Sequence, residues 1–209
     1  MTTLKNGYVL DGMNEFERNM KRIFDFCWAA VCLVVFSPLF LICYIAIKRE
    51  DGGKAIFRQE RIGRFGRPFY IYKFRSMRED AEKDGPALYQ HETDQRLTRI
   101  GKFLRSHHLD ELPQLWNVVK GDMAFIGPRP ERKFFIDQIM EHDPRYAQLY
   151  VLRPGVTSYA TLHNGYTDTM EKMLKRLEMD LYYLEHQSLW MDAKILWYTF
   201  ANIISGKIF

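Results

Sequence analysis

Residues 23–47, IFDFCWAAVCLVVFSPLFLICYIAI, are an apolar run in which Asp25 is the one charged residue. A helix of roughly 20 such residues crosses a bilayer, so the rest of the fold has to accommodate this segment. Two features speak against a straight span. Lys21-Arg22 precede the run and Lys48-Arg49 follow it, so both ends carry the charge that marks a cytoplasmic flank. Ser37-Pro38 lies inside the run, and an internal proline removes one backbone hydrogen bond and kinks a helix. At about 1.5 Å per residue the two arms are roughly 20 and 14 Å long, each close to half a hydrocarbon core. A re-entrant hairpin fits both facts, and a single-pass helix is the alternative, since spanning helices tolerate proline. Residues 1–20 are polar and mixed in charge, without a signal-peptide pattern, and residues 14–20 are expected to enter a helix.

The remaining length, within a chain of 209 residues, suits one further domain with its own core. The expected organisation is a leader over 1–20, a membrane hairpin over 21–49 and a cytosolic domain over 50–209. All three cysteines, Cys27, Cys32 and Cys43, fall in the apolar run, where thiols act as small hydrophobes, so neither a disulfide framework nor a zinc pattern follows. A net charge of +4 favours anionic lipid or a nucleotide. No basic run interleaved with aromatics is present, and nucleic-acid binding is not expected.

Beyond the turn at Asp51-Gly52-Gly53, AIFRQERIG and RPFYIYKFRSM read as two short strands around residues 63–68. Lys73 and Arg75, two apart, share one face of the second. Residues 79–91 read as a helix end and then a loop containing Gly85-Pro86, a candidate lid. Residues 94–105 put Arg96, Arg99, Lys102 and Arg105 at helical spacing. Asp110 and Glu111 come just before Pro113, which suits the first turn of a helix, so they are expected at its positive end. Arg129 sits between Pro128 and Pro130, and Arg153 begins a second arginine-proline turn. A planar guanidinium gives two parallel hydrogen bonds to phosphate oxygens. From residue 168 onward the chain reads as helical, with an apolar stripe at Met173, Leu174, Leu177, Leu181 and Leu184. Its end, rich in Trp190, Trp197, Tyr198 and Phe200, reads as a core helix or an interfacial amphipathic one. The fold class is mainly α with a small β-hairpin, α+β.

Acids beside fixed arginines point to phosphate chemistry, and the plainer reading is that Asp110 and Glu111 only cap a helix. The longer pattern decides. LRSHHLDELPQLWNVVKGDMAFIGPRPE at 104–131, KFRSM at 73–77, the Asp94, Arg96 and Thr98 spacing, and RPGVT at 153–157 together closely resemble the bacterial sugar transferase family, the monotopic phosphoglycosyl transferases. The resemblance runs from about Lys21 to Phe209. It departs at Ser158-Tyr159-Ala160, where larger members carry Gly-Trp-Ala, and at His108, where serine is common.

The resemblance implies a UDP-sugar donor, a polyprenol (undecaprenyl) phosphate acceptor, and a helix broken at Ser37-Pro38 that penetrates one leaflet from the cytosolic face of the bacterial plasma membrane. Asp110 is then the expected nucleophile and Glu111 the expected magnesium ligand, while Lys73, Arg75, Arg105, Arg129 and Arg153 are expected to bind phosphate groups. A phosphohydrolase and a non-catalytic lipid-binding scaffold are the alternatives.

Overall fold

The computed structural model describes residues 11–83, 85, 94–165 and 167–205. Asn14 starts the first helix, α1 (Glu15–Val35), with a reciprocal cap. Its side chain accepts from the Glu17 N–H at 2.9 Å, and the Glu17 carboxylate accepts from the Asn14 N–H at 3.0 Å. The helix stops where Pro38 has no N–H to give the Val34 carbonyl. The Ser37 hydroxyl donates to that carbonyl instead, at 2.7 Å. α2 (Ser37–Asp51) leaves at 61° to α1 and ends at Gly52, whose φ of 74° only glycine adopts freely. Among the described residues no single helix is long and apolar enough to cross a membrane, while the bent pair together has the length and composition of a broken span or re-entrant loop.

Each arm of the pair divides its surface in two. Asp25, Ala29, Cys43 and Ile47 are buried, whereas Phe24, Trp28, Val31, Val34, Leu41 and Ile42 are exposed. Ala29 packs with Val118, Met123, Tyr183 and Leu184, and Cys43 and Ile47 pack with Ala55, Phe74 and Leu104. The pair thus supplies part of the core.

The expected hairpin is present. β1 (Ile56–Ile62) and β2 (Pro68–Phe74) pair antiparallel, with Ile56 opposite Phe74 and Ile62 opposite Pro68, around a 3-10 turn at Arg64–Gly66. A second sheet was not anticipated: β3 (Ala124–Ile126) and β4 (Gly155–Thr157) pair in parallel. Its closeness depends on glycine, since a Cβ at Gly127 would lie 2.2 Å from the Arg153 carbonyl oxygen. This pairing sets the two arginine-proline turns side by side.

Several boundaries differ from expectation. α3 (Arg99–Ser106) begins only after Thr98, whose side chain accepts from the Gly101 N–H, and Arg96 lies ahead of it in a two-point ion pair with Asp94. The basic helical face therefore starts at Arg99. Residues 79–83 are turns, not a helix end, and most of the candidate lid lies outside the described residues. The helix expected at Pro113 is present as α4 (Gln114–Lys120), which starts one residue later, and Asp110 and Glu111 lie ahead of it in a 3-10 turn, Leu109–Glu111. α5 (Lys133–His142), a 3-10 stretch Pro144–Val151 and α6 (Tyr159–Asn164) follow. The C-terminal region is two helices, α7 (Met170–His186) and α8 (Leu189–Ile204), parted where the Ser188 hydroxyl caps α8. α8 buries Ile195 and Asp192 and exposes Trp190, Trp197, Tyr198 and Phe200. The architecture is mainly helical with two small sheets among the described residues, α+β as expected.

Candidate active site

A two-stranded sheet leaves the outer edge of β2 with unpaired backbone groups. Asn117 of α4, fully buried, covers that edge. Its Oδ1 accepts from the Tyr72 N–H at 3.1 Å and its Nδ2 donates to the Tyr70 carbonyl at 2.7 Å, so one side-chain amide takes the place of a third strand. The lock holds Lys73 against the turn ahead of α4, where its ammonium donates to Glu111 Oε1.

α3 closes the other side. Gly101 sits on the Ser76 backbone so tightly that a Cβ there would come within 1.9 Å of the Ser76 carbonyl oxygen. From this position Arg105 Nε donates to Ser76 Oγ at 3.0 Å and lies 3.8 Å from Asp110 Oδ2. Gly101→Ala is expected to lower stability by about 3 kcal/mol, the cost of forcing a methyl into a packed contact. Activity should fall as Arg105 moves, and denaturant unfolding alongside a rate assay checks both.

The two adjacent acids are driven in opposite directions. Burial pushes the Asp110 carboxyl above its ordinary value, against the pull of Lys73 and with the repulsion of Glu111. Burial acts on Glu111 as well, but Lys73 and Arg129 outweigh it and bring Glu111 down to about 2. Lys73 is lowered by its own burial, offset by Glu111. His108, in the left-handed region at φ 54°, places its ring where a positive charge would favour ionisation of both acids.

Arg129 acts on Glu111 and Lys73 from the Pro128–Pro130 turn. Behind it Glu131 is bracketed by Arg61 at 3.5 Å and Arg176 at 3.3 Å. Asp180 is buried nearby, pushed up to about 7 by desolvation although Arg176 opposes it.

Of the residues singled out in the sequence, Lys73, Arg105, Asp110, Glu111 and Arg129 converge. Arg75 turns elsewhere: its guanidinium pairs with Asp51 at the end of α2 and reaches Glu79 at 3.9 Å, so it joins the bent pair to the hairpin. Arg153 donates to the Gly121 carbonyl at 3.1 Å and lines a different hollow. Ser37 and Pro38 stand at the helix break. Neither acid caps α4, which has no side-chain cap, so the plainer reading of the pair is set aside. Among the described residues no three His, Cys, Asp or Glu side chains gather as a metal cage.

Sequence reasoning missed Asn117, Ser76, Arg61, Glu131, Arg176 and Asp180. One signal was available, because Arg176 and Asp180 fall on the apolar stripe of α7 at the spacing of Met173, Leu177 and Leu184. Charges at core positions require partners.

Residues 16–206 match the family described as bacterial sugar transferase. The chain belongs to that family. A relative from Aeromonas hydrophila, named UDP-N-acetylgalactosamine-undecaprenyl-phosphate N-acetylgalactosaminephosphotransferase, is 41% identical over 187 residues, which are 90% of this chain and 44% of the relative. Two relatives named UDP-glucose:undecaprenyl-phosphate glucose-1-phosphate transferase are also similar. That of Caulobacter vibrioides is 42% identical, covering 88% of this chain and 70% of the relative, and that of Escherichia coli is 39% identical, covering 91% and 40%. The chain thus spans less than half the length of two of these three curated relatives. The names differ in the sugar and agree on undecaprenyl phosphate.

Proposed function

We propose that this chain moves a sugar 1-phosphate from a UDP-sugar to a polyprenol phosphate, releasing UMP through a covalent aspartyl-phosphosugar intermediate. The observation that carries the reading is Asp110, buried beside Lys73 and Arg105 and next to an acid that Lys73 and Arg129 keep ionised. The relatives' names support the donor and acceptor classes.

In the first step an Asp110 oxygen bonds to the phosphorus that carries the sugar. The bond from that phosphorus to the bridging oxygen breaks, and the electron pair leaves with UMP. Lys73, Arg105 and Arg129 offset charge on the phosphoryl oxygens, the main task in phosphoryl transfer. In the second step an oxygen of the polyprenol phosphate attacks the same phosphorus and the Asp110 carboxylate departs. A mixed anhydride keeps most of the transfer potential of the bond broken, so no further energy source is needed.

The acids also fit magnesium, which takes hard oxygens and uses only one or two protein carboxylates, with waters and phosphates completing its shell. Glu111, ionised down to about pH 2, is the residue that would hold it. Bound there, the ion would neutralise charge on the diphosphate.

The bent α1–α2 pair, with Phe24, Trp28, Val34 and Leu41 outward, is read as a wedge entering one leaflet from the cytosolic face of the plasma membrane. A lipid-held acceptor then meets a site fixed at the headgroups, the advantage of proximity. A membrane-impermeant maleimide should label Glu15→Cys and Lys172→Cys in inverted vesicles and neither in intact spheroplasts. Labelling of the two from opposite sides would mean a crossing helix.

UMP release with UDP-N-acetylgalactosamine, UDP-glucose and UDP-galactose tests the reaction. With magnesium present, at most one equivalent per chain is expected without undecaprenyl phosphate and sustained turnover with it. Turnover without lipid would make the chain a phosphohydrolase, and no release from any donor would leave a scaffold.

A further inference from the structure

A second positively charged hollow lies where α1 passes the Arg64–Gly66 turn and the Arg153 turn. Its volume of about 40 Å³ compares with the roughly 10–15 Å³ that admits one water, so it has room for a tetrahedral oxyanion. Arg22, Arg64 and Arg153 line it. Among the described residues none of the three has a carboxylate within ion-pair distance. Their contacts are backbone carbonyls instead: Arg22 donates to Val118 and Val119 at 2.6 and 2.9 Å, Arg64 to Val151 at 2.8 Å, and Arg153 to Gly121 at 3.1 Å. Carbonyl oxygens orient a guanidinium without cancelling its charge.

The rest of the lining does not supply the missing balance. Arg18 and Lys21 bring two further cations, already matched by Asp11 and Asp192. Asp25 alone adds a carboxylate from within, and it accepts a hydrogen bond from the Phe125 N–H at 3.3 Å. Burial, and then the charges of Arg64 and Arg22, push the Arg153 guanidinium below its ordinary value, and the opposing charge of Asp25 offsets this only in part. Three like charges gathered around one hollow repel, and an anion among them would relieve that cost. The charges felt by Asp110 and Glu111 belong to Lys73, Arg105, Arg129 and His108, and none of these acts on Arg153. None of Lys73, Arg105, Asp110, Glu111 and Arg129 lines this hollow.

Its height on the molecule is also informative. Arg18, Lys21 and Arg22 are the last basic residues of α1, and beyond them every exposed residue of the helix, Ile23, Phe24 and Trp28 among them, is apolar. That is the level at which headgroup phosphates would meet the wedge.

We propose that Arg22, Arg64 and Arg153 form a second oxyanion site that takes one phosphate group, carried by an anionic phospholipid headgroup or free in solution. Phenylglyoxal labelling of the full chain in dodecyl maltoside micelles, read residue by residue by peptide mass spectrometry, tests this without measuring turnover, so its result is independent of the transfer reaction. One arm adds inorganic phosphate and the other dopes the micelles with phosphatidylglycerol. Labelling of Arg64 and Arg153 should slow roughly tenfold at a ligand concentration about ten times its dissociation constant. Protection in the doped micelles assigns a lipid headgroup, and protection by inorganic phosphate alone assigns a free oxyanion. Protection in neither arm overturns the proposal. Arg22→Gln should weaken protection of Arg64 and Arg153 while leaving that of Arg129, and equal protection in this variant would also overturn it. Should the variant not fold, the two arms on the unaltered chain still decide.

Discussion

Asp110→Asn is expected to abolish transfer and at the same time to raise the melting temperature. Removing a nucleophile from a site of this kind costs a factor on the order of 10⁴ or more, and neither the phosphosugar adduct, seen as an intact-mass increase, nor UMP release should be detectable. The stability gain follows from the raised carboxyl. An acid whose folded pKa lies above its unfolded one favours the protonated folded state, so its stabilising contribution is complete below about pH 4. That contribution is lost as the pH rises through the folded value, and at neutral pH the ionised group is a burden that asparagine removes. The same shift predicts that kcat/KM of the wild type falls on the acid side at a higher pH than an unperturbed aspartate would give, because the nucleophile must be ionised. An adduct on Asp110→Asn would move the nucleophile elsewhere. A lower melting temperature would mean that the Arg105 contact, and not burial, dominates at Asp110.

That pairing of function with strain was partly legible in the sequence. Asp110 and Glu111 stand together ahead of a proline, Lys73 lies near the end of a short strand, Arg105 closes a basic helical face and Arg129 is fixed between prolines, so the types and the rigidity were visible and all five converging groups were named. Direction was harder to read. Lys73 and Arg75 share a strand face by spacing, yet Arg75 lies just past β2 and is captured by Asp51 of α2, an ion pair between segments whose approach depends on the 61° bend. β3 and β4 are three residues each, too short for a period to show, and they meet only because Gly127 and Gly155 allow two turns to touch. Asn117 had no local signal at all. Its role exists because a two-stranded sheet leaves an edge that a polar side chain on the next helix can cover.

Glu111→Gln should act on stability in the sense opposite to its neighbour. Glu111 is depressed to about 2, so it stabilises the fold above the unfolded carboxyl pKa of about 4.3, and that stabilisation disappears as the pH falls toward about 2. Neutralising it leaves Lys73 with a charge and no ion-pair partner in a mostly buried setting. A fully buried pair broken this way costs about 3–5 kcal/mol. Partial exposure of both side chains, 15% for Lys73 and 21% for Glu111, puts the expected loss nearer 2 kcal/mol. Lys73→Met/Glu111→Gln removes both charges and should recover most of that loss, giving a coupling that a double-mutant cycle in denaturant reads directly. Activity should not recover with it. Each single variant is expected to lose on the order of 10²–10³ in kcat, and the double variant at least as much, since it lacks both the cation and the acid that would hold magnesium. If the double variant regained activity with stability, the Lys73–Glu111 pair would be a structural strut and the phosphate chemistry would rest on Asp110, Arg105 and Arg129 alone.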